Sequence, residues 1–290
     1  MNLRESILPP GWYPRNPSEI SRVLSPFKPD RSNGNSIAAS NIVAAGNTLA
    51  AVAPHAGWYY SGETAAKAVA SLDSPASTIV VIGGHLAADN PPLIALEDAV
   101  QTPLGNILID KTLRDLLKTG LNAREDCYKD NTVEVLLPML RFFFPETPVV
   151  WLRLPADKSS VTAGEIIAQC SQKLGSAVCV LASADLTHYG ANYGFSPKGS
   201  GEEALKWVAE VNDARFIEAV LSNEPEAMIE RANRERSCCS AGAVAAAMGF
   251  ANAMGTYSAR LLEYTSSASK SGECPDSFVG YAAIAMGRDQ

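Results

Sequence analysis

The sequence predicts an α/β fold, a layered sandwich with a mostly parallel or mixed central sheet flanked by helices. Three observations predict it. Short apolar runs alternate along the chain with longer stretches of helical periodicity. The apolar runs are continuous, as expected of buried strands. The stretch from His55 to Val81 also has the length of a strand–helix–strand unit, which favours a parallel pair.

The elements can be justified in order. "PDRSNGNSIAASN" (residues 29–41) is the most loop-like stretch and separates an N-terminal arm from the body. It is too short to mark a domain boundary, so a single domain over residues 1–290 is expected. "NTLAAVAP" (47–54) reads as a buried strand. "SGETAAKAVASL" (61–72) reads as a helix with Ser61 at its N-cap and Ala65, Val69 and Leu72 on one face. "STIVVIGG" (77–84) is a second strand, and "DKTLRDLLKTG" (110–120) a helix ending on glycine. "NTVEVLLPMLRFFF" (131–144) reads as a helix broken or kinked near Pro138. Strands at 147–155 and 176–185 bracket a helix at 160–174. Residues 202–223 are helical in one or two segments, 238–255 form an alanine-rich buried helix, and "SARLLEYTSS" and "SFVGYAAIAMG" supply late strands.

Composition narrows the function. Apolar residues make up 47% and charged residues 19%, an ordinary globular balance. The net charge is −7 and the basic residues are scattered, so nothing resembles a nucleic-acid footprint. No apolar run is long enough to span a membrane, and the N-terminus lacks a signal pattern, so a cytoplasmic protein with no membrane or nucleic-acid partner is expected. Six cysteines form no CxxC motif and read mostly as small buried residues.

The chain has only three histidines, and each follows a predicted strand. His55 follows "LAAVAP", His85 follows "IVVIGG", and His188 follows "VCVLASAD". In open α/β sheets, ligands bind beyond the carboxyl ends of the strands. One histidine after a strand is an ordinary loop residue, but three in equivalent places point to a shared site. Imidazoles combined with a carboxylate or thiolate hold divalent metals. Asp185, Glu134 and the Cys238–Cys239 pair are the candidates for a further ligand. A helix N-terminus at the cysteines favours the thiolate, whereas packing is the competing reading. Asp185, three residues before His188, can fix a histidine tautomer or cap a turn. Trp58, Tyr59 and Tyr60 in "PHAGWYYSG" wall a pocket or fill the core, and Tyr189 covers the pocket.

These segments together resemble the Memo family, whose bacterial members are often called AmmeMemoRadiSam system protein B. The resemblance rests on "GWYP", "PHAGWYYSG", "TPLGNILID", "VEVLLPML", "SADLTHYG", "CSAG" and "VGYAA", which occur in the family's order over almost the whole chain. It implies a fold like that of the class III extradiol dioxygenases, which use non-haem ferrous iron. It also implies His55, His85 and Cys239 as metal ligands, with His188 and nearby Asp185 as the catalytic acid–base pair. The sequence departs from the pattern at "GGHL", where the family has a longer turn, and at Asn131, which stands where a histidine is usual. The implied function is a non-haem iron- or copper-dependent oxidoreductase, with a zinc hydrolase as a lesser reading. The alternative is a non-catalytic adaptor that takes peptide or protein ligands in the same pocket. Radical-SAM and AMMECR1-like proteins are the partners the resemblance suggests.

Overall fold

The computed structural model describes residues 1–29, 48–72, 76–255, 257–271 and 274–287. Most of the loop-like stretch 29–41 lies outside the described residues. At the centre are four strands: β1 (Thr48–Ala53), β2 (Thr78–Gly83), β3 (Val149–Arg153) and β4 (Val178–Ser183). They lie in the order β1–β4–β2–β3, and every neighbouring pair is parallel. Ala51, Leu181, Val81 and Trp151 stand abreast in one row of this sheet.

Alternation of side chains splits the apolar residues between two cores. Ala50, Val52, Val80, Ile82, Val180 and Ala182 face one side. There they meet the helices α2 (Ser159–Leu174) and α3 (Ala241–Ala253). Ala51, Ala53, Ile79, Val81, Cys179 and Leu181 face the other side, against helix α1 (Trp58–Ser71). Burial on both faces is why these strands read as unbroken apolar runs. Every residue of β2, β3 and β4 is buried.

The sheet is mixed, because antiparallel strands complete both edges. Strands β5 (His188–Gly190), β6 (Ser258–Ser266) and β7 (Ser277–Gly287) follow in the chain. β7 runs antiparallel to β1, β5 and β6. The link from β6 to β7 is too short for a crossover, so it closes a hairpin. At the opposite edge, Leu93–Ile94 pairs antiparallel with β3 and carries Arg124–Glu125.

Several local expectations are corrected. α1 begins at Trp58, with Gly57 at its N-cap and no side-chain cap. Ser61 lies inside the helix, where its hydroxyl donates to the Ala56 carbonyl at 3.2 Å. Residues 202–223 are helical in two segments, within the expectation: Glu202–Trp207 and Ala214–Leu221, joined by a π-helical turn at Val208–Asp213. The break near Pro138 is present: one short helix covers Asn131–Glu134 and the next Leu137–Phe143. Two helices with proline in their first turn, Pro17–Leu24 and Pro225–Glu235, were not foreseen. Among the described residues, no helix is long and apolar enough to cross a membrane.

α3 is buried on all sides, and its alanines and glycines allow α2 to lie directly against it. A Cβ added at Gly164 in α2 would stand 2.0 Å from the Ala246 carbonyl oxygen and 2.6 Å from the Phe250 nitrogen. The obstruction is helix backbone, so it cannot swing aside. Gly164→Ala should therefore destabilise the protein by roughly 2 kcal/mol in urea unfolding, although alanine is the better helix former by about 1 kcal/mol. An unchanged or raised midpoint would show that the helix pair can separate without cost.

Candidate metal centre

The strand order places the carboxyl ends of β1, β4 and β2 side by side. The loops that leave these ends carry His55, Asp185 and His85. Cys239 reaches the same rim from the segment just before α3. Asp185 ties these parts together. Its Oδ1 accepts the His55 amide at 2.7 Å, and its backbone carbonyl accepts the Cys239 amide at 3.1 Å.

The result is a compact donor set. One ligand atom from each of His55, His85 and Cys239 lies within 4.8 Å of the other two, so these residues can hold a metal ion. The His55 and His85 rings meet edge to face with centroids 5.1 Å apart. Cys239 Sγ lies 3.3 Å from His55 Nε2.

Hydrogen bonding sets the His55 tautomer. The Ser183 hydroxyl donates to the Thr132 carbonyl, so its oxygen is left to accept from His55 Nδ1 at 2.9 Å. Nε2 is then unprotonated and faces the thiol, which is the form a metal needs. Burial lowers the His55 pKa to about 3, and the neighbouring His85 adds to the effect.

His85 is held from behind in the same manner. Its Nδ1 lies 3.1 Å from Asp130 Oδ2, and Arg153 approaches that carboxylate at 3.3 Å. Burial alone would raise the Asp130 pKa. Hydrogen bonds from His85 and Thr132 and the charge of Arg153 outweigh it and hold the group at about 2. Arg153 Nε also donates to the Gly84 carbonyl at 3.0 Å. His85 adopts a left-handed backbone with φ 57°, a conformation that costs a non-glycine residue about 1 kcal/mol. Gly84 must lack a side chain, because a Cβ there would stand 2.3 Å from Ser240 Oγ. The "GGH" turn thus lets the His85 and Cys239 loops touch.

Of the alternative ligands, Glu134 is employed elsewhere. Its carboxylate accepts the Ile7 and Leu8 amides at 2.9 and 3.0 Å and the Tyr13 hydroxyl at 2.8 Å, which pins the N-terminal arm. Cys238 packs against the core, and burial raises its thiol to about 12. Burial also holds Cys239 well above the usual thiol range, and Asp185 and Cys238 push the same way. In the protein alone, therefore, burial outweighs the helix end that was expected to favour the thiolate. A bound cation would supply the charge that reverses this balance.

All three histidines line one cleft of about 820 Å³, together with Asp185 and Asn131. Asn131 donates to the His55 carbonyl at 3.2 Å. His188 begins β5, and its ring meets Tyr193 edge to face at 5.0 Å. Burial lowers the His188 pKa, and the Asp185 carboxylate opposes the shift. Burial raises Asp185 to about 6, against the charge of His188. The aromatic motif divides its labour. Trp58 is buried and donates to the Val135 carbonyl at 3.0 Å, whereas Tyr59 and Tyr60 are exposed on the cleft. Tyr189 does not cover the pocket: it is fully buried, stacked on Phe278 at 5.1 Å.

Ser183, Asp130, Arg153, Tyr193 and Asp213 escaped the sequence reading. Arg153 left a signal, as a charged residue closing the apolar strand "VVWLR". Asp213 left none. It lies at the end of the π-helical turn and accepts from the Thr187 amide at 3.1 Å, from the Thr187 hydroxyl and from the Tyr264 hydroxyl at 2.8 Å. It thereby fixes the loop between Asp185 and His188.

A family model described as "Memo-like protein" matches residues 4–285. A MEMO1 family protein of Pyrococcus furiosus is 29% identical over 300 residues, covering 98% of this chain and 99% of its own. One from Pyrococcus abyssi is 30% identical over 293 residues, covering 96% and 97%. One from Methanosarcina barkeri is 32% identical over 245 residues, covering 82% and 86%. Among solved structures, the crystal structure of an uncharacterized protein from Escherichia coli K12 aligns at 12% identity with a TM-score of 0.46. It covers 83% of this chain and 100% of that one, a likeness too distant to bear on the site.

Two outcomes follow from this geometry. Asp130→Asn should weaken divalent-metal affinity about 10- to 100-fold in competition with a fluorescent chelator, because His85 loses the carboxylate that orients it. Asp213 is raised to about 7 by burial, from an ordinary value of 3.8. Its contribution to stability is therefore full below about pH 4 and is lost as pH rises towards 7. Asp213→Asn keeps the contact to Thr187 and can donate to Tyr264. Denaturant unfolding from pH 4 to 7 should show a shallower loss of stability in the variant than in the wild type; parallel curves would mean the carboxyl is ionised throughout.

Proposed function

This chain belongs to the Memo-like protein family, and we propose that it is a metal-dependent oxidoreductase of the dioxygenase type. Its ligands are His55, His85 and Cys239, and its metal is a non-haem iron or copper ion. The observation that carries this reading is the donor set: two imidazoles and a thiol within 4.8 Å of one another, the two imidazoles lining a cleft that also holds the third histidine, His188. Three protein ligands leave open coordination positions, which a closed structural site does not. When bound, such an ion supplies electron transfer to dioxygen or a reduced oxygen species.

The chain's own residues supply the rest. Ser183 and Asp130 each engage the Nδ1 of one imidazole, so the two Nε2 atoms would be the ones to hold an ion. Asp185 fixes the relative positions of His55 and Cys239 through two backbone amides. His188 is the acid–base group: burial keeps the ring neutral, and the facing Asp185 carboxylate stabilises the imidazolium once a proton arrives. Tyr193 limits the motion of that ring. The exposed rings of Tyr59 and Tyr60 exclude water from one wall of the cleft and give a substrate an apolar surface.

The test is elemental analysis of protein purified anaerobically without an affinity metal column, beside Cys239→Ser and His188→Gln. The expected result is near-stoichiometric iron or copper in the wild type and in His188→Gln, and at least a tenfold loss of metal affinity in Cys239→Ser. Dioxygen consumption should be lost in both variants. Full metal content and activity in Cys239→Ser would remove the ligand assignment. Zinc alone would favour hydrolysis. No metal after reconstitution would favour the adaptor reading, with the same cleft taking a peptide and with radical-SAM and AMMECR1-like proteins as the partners to examine.

A further inference from the structure

We propose that Asn212 and Asp213, consecutive residues of the π-helical turn, are positioning residues for His188 and act on it through the Thr187 side chain, which both of them hold. The catalytic consequence rests on the acid–base role proposed above for His188. The positioning stands on the hydrogen bonds alone.

Thr187 is fully buried, and each of its polar atoms is engaged. Its amide donates to Asp213 Oδ1 at 3.1 Å, and its carbonyl accepts the Gly280 amide at 3.0 Å. Its hydroxyl donates to the same Asp213 Oδ1 and accepts from Asn212 Nδ2 at 2.8 Å. Tyr189, on the other side of His188 in the chain, is tied as closely. Its ring stacks on Phe278, and its hydroxyl accepts the Lys198 amide at 2.9 Å and donates to the Gly199 carbonyl at 3.0 Å. Side chains alternate along an extended segment, so His188 points away from Thr187 and Tyr189. That direction is the cleft, which the ring lines. Both chain neighbours of the histidine are thus anchored behind it.

The helical turn explains how two successive residues reach one side chain. Successive side chains of an α-helix diverge by about 100°. At Val208–Asp213 the hydrogen bonds close from i to i+5, which widens the turn and lessens that divergence. Asn212 and Asp213 are both buried, and a buried amide or carboxylate must find partners. Asn212 gives its amide to the Glu235 carbonyl as well, at 3.1 Å. Asp213 Oδ2 accepts the Tyr264 hydroxyl at 2.8 Å. The clip therefore joins the His188 loop to β6 and to the end of the helix Pro225–Glu235, from which the chain runs on to Cys239.

Charge and position are divided between two aspartates. The groups that face the His188 ring are Asp185, His55, His85 and Tyr193. Burial lowers the His188 pKa, His55 and His85 add to that, and Asp185 opposes it. Asp213 accepts from neutral donors and touches Thr187, so its action on the ring is geometric. Releasing Thr187 would let the ring move towards water, and its proton affinity would rise towards that of free imidazole.

The test is two-dimensional proton–nitrogen NMR of the histidine rings in the full-length, metal-free protein, titrated from about pH 5 to 8.5 across the imidazole range. The chain has three histidines and burial holds His55 at about 3, so the spectra are simple, and His188→Gln identifies the His188 signals. Thr187→Val removes the hydroxyl at nearly constant shape and should raise the His188 midpoint by at least about 0.5 pH. Thr187→Ser keeps the hydroxyl and should stay within about 0.2 of the wild type. Asp213→Asn keeps an acceptor for Thr187 and should also leave the midpoint in place. An unmoved midpoint in folded Thr187→Val overturns the proposal. So does a shift in Asp213→Asn as large as that in Thr187→Val, which would make the effect one of charge. If Thr187→Val does not fold, Asn212→Ala is read in its place, with the same upward shift expected and an unmoved midpoint again decisive against. Loading with ferrous iron under anaerobic conditions separates this proposal from the one it rests on. Thr187→Val should keep wild-type metal content and lose at least about tenfold in the rate of dioxygen consumption. Loss of metal in Thr187→Val would put the clip's action at the metal ligands rather than at His188 and overturn it. A shifted His188 midpoint with no dioxygen consumption even in the wild type would sink the acid–base reading and leave the positioning standing.

Discussion

Asp185 is the residue on which the site depends. It stands just past the end of β4, where its carboxylate accepts the His55 amide and its carbonyl accepts the Cys239 amide. Two segments separated by more than half the chain are thus fixed to one strand end by main-chain contacts rather than by their own side chains. His55 Nε2 and the Cys239 thiol, which face each other, are left for chemistry. Burying a carboxylate is costly unless it is hydrogen-bonded, and the His55 and Ala56 amides supply part of the compensation. The remainder shows as the raised pKa of Asp185 itself.

The same economy extends outward from this residue. His85 cannot be fixed by Asp185, because it leaves a different strand, so a second chain of charges does it. Arg153 closes β3 and contacts both Asp126 and Asp130, and Asp130 holds His85. The strained backbone of His85 is sustained by this network and by the close seat of Gly84 on Ser240. On the other side, Asp213 holds Thr187, and Gly280 makes room for it: a Cβ there would stand 2.0 Å from Asp213 Oδ2. The loop 185–188 is therefore held at both ends by buried carboxylates, one from its own strand end and one from the π-helical turn.

Much of this was legible in the sequence, for a physical reason. Strands buried on both faces must be apolar without interruption, so β1 to β4 announce themselves. Histidines are few, and three of three at strand ends is a pattern that periodicity alone can locate. What stayed hidden depends on tertiary contact. Nothing local distinguishes Ser183 from any serine closing a strand, yet its hydroxyl sets the His55 tautomer. Asp213 sits in a helical stretch like any solvent-facing acid, and only the packing of β7 shows that it is buried. Glu134 read as a possible ligand because a glutamate near "NTVE" has the right chemistry; its partners are the amides of an arm more than a hundred residues away. Tyr189 neighbours a site histidine in sequence, but strand alternation turns it into the core and away from the cleft.

Alternation along β5 and burial at the strand ends also decide the charge state in which the site waits. His55 is neutral because burial has depressed its affinity for protons, so it needs no deprotonation to bind a cation. Cys239 is protonated for the same reason acting in the opposite sense. One buried environment thus prepares an imidazole ligand fully and a thiol ligand only in potential. Binding of a divalent ion would release the thiol proton, and the unprotonated atom facing that thiol is His55 Nε2, at 3.3 Å. A thiol that yields its proton only to a cation is protected from reaction until the cation is present, because the thiolate is the nucleophilic form. The raised pKa of the partly buried Cys239 is then consistent with the ligand role proposed for it: the environment that suppresses its reactivity leaves its affinity for an ion to be set by the ion's own charge.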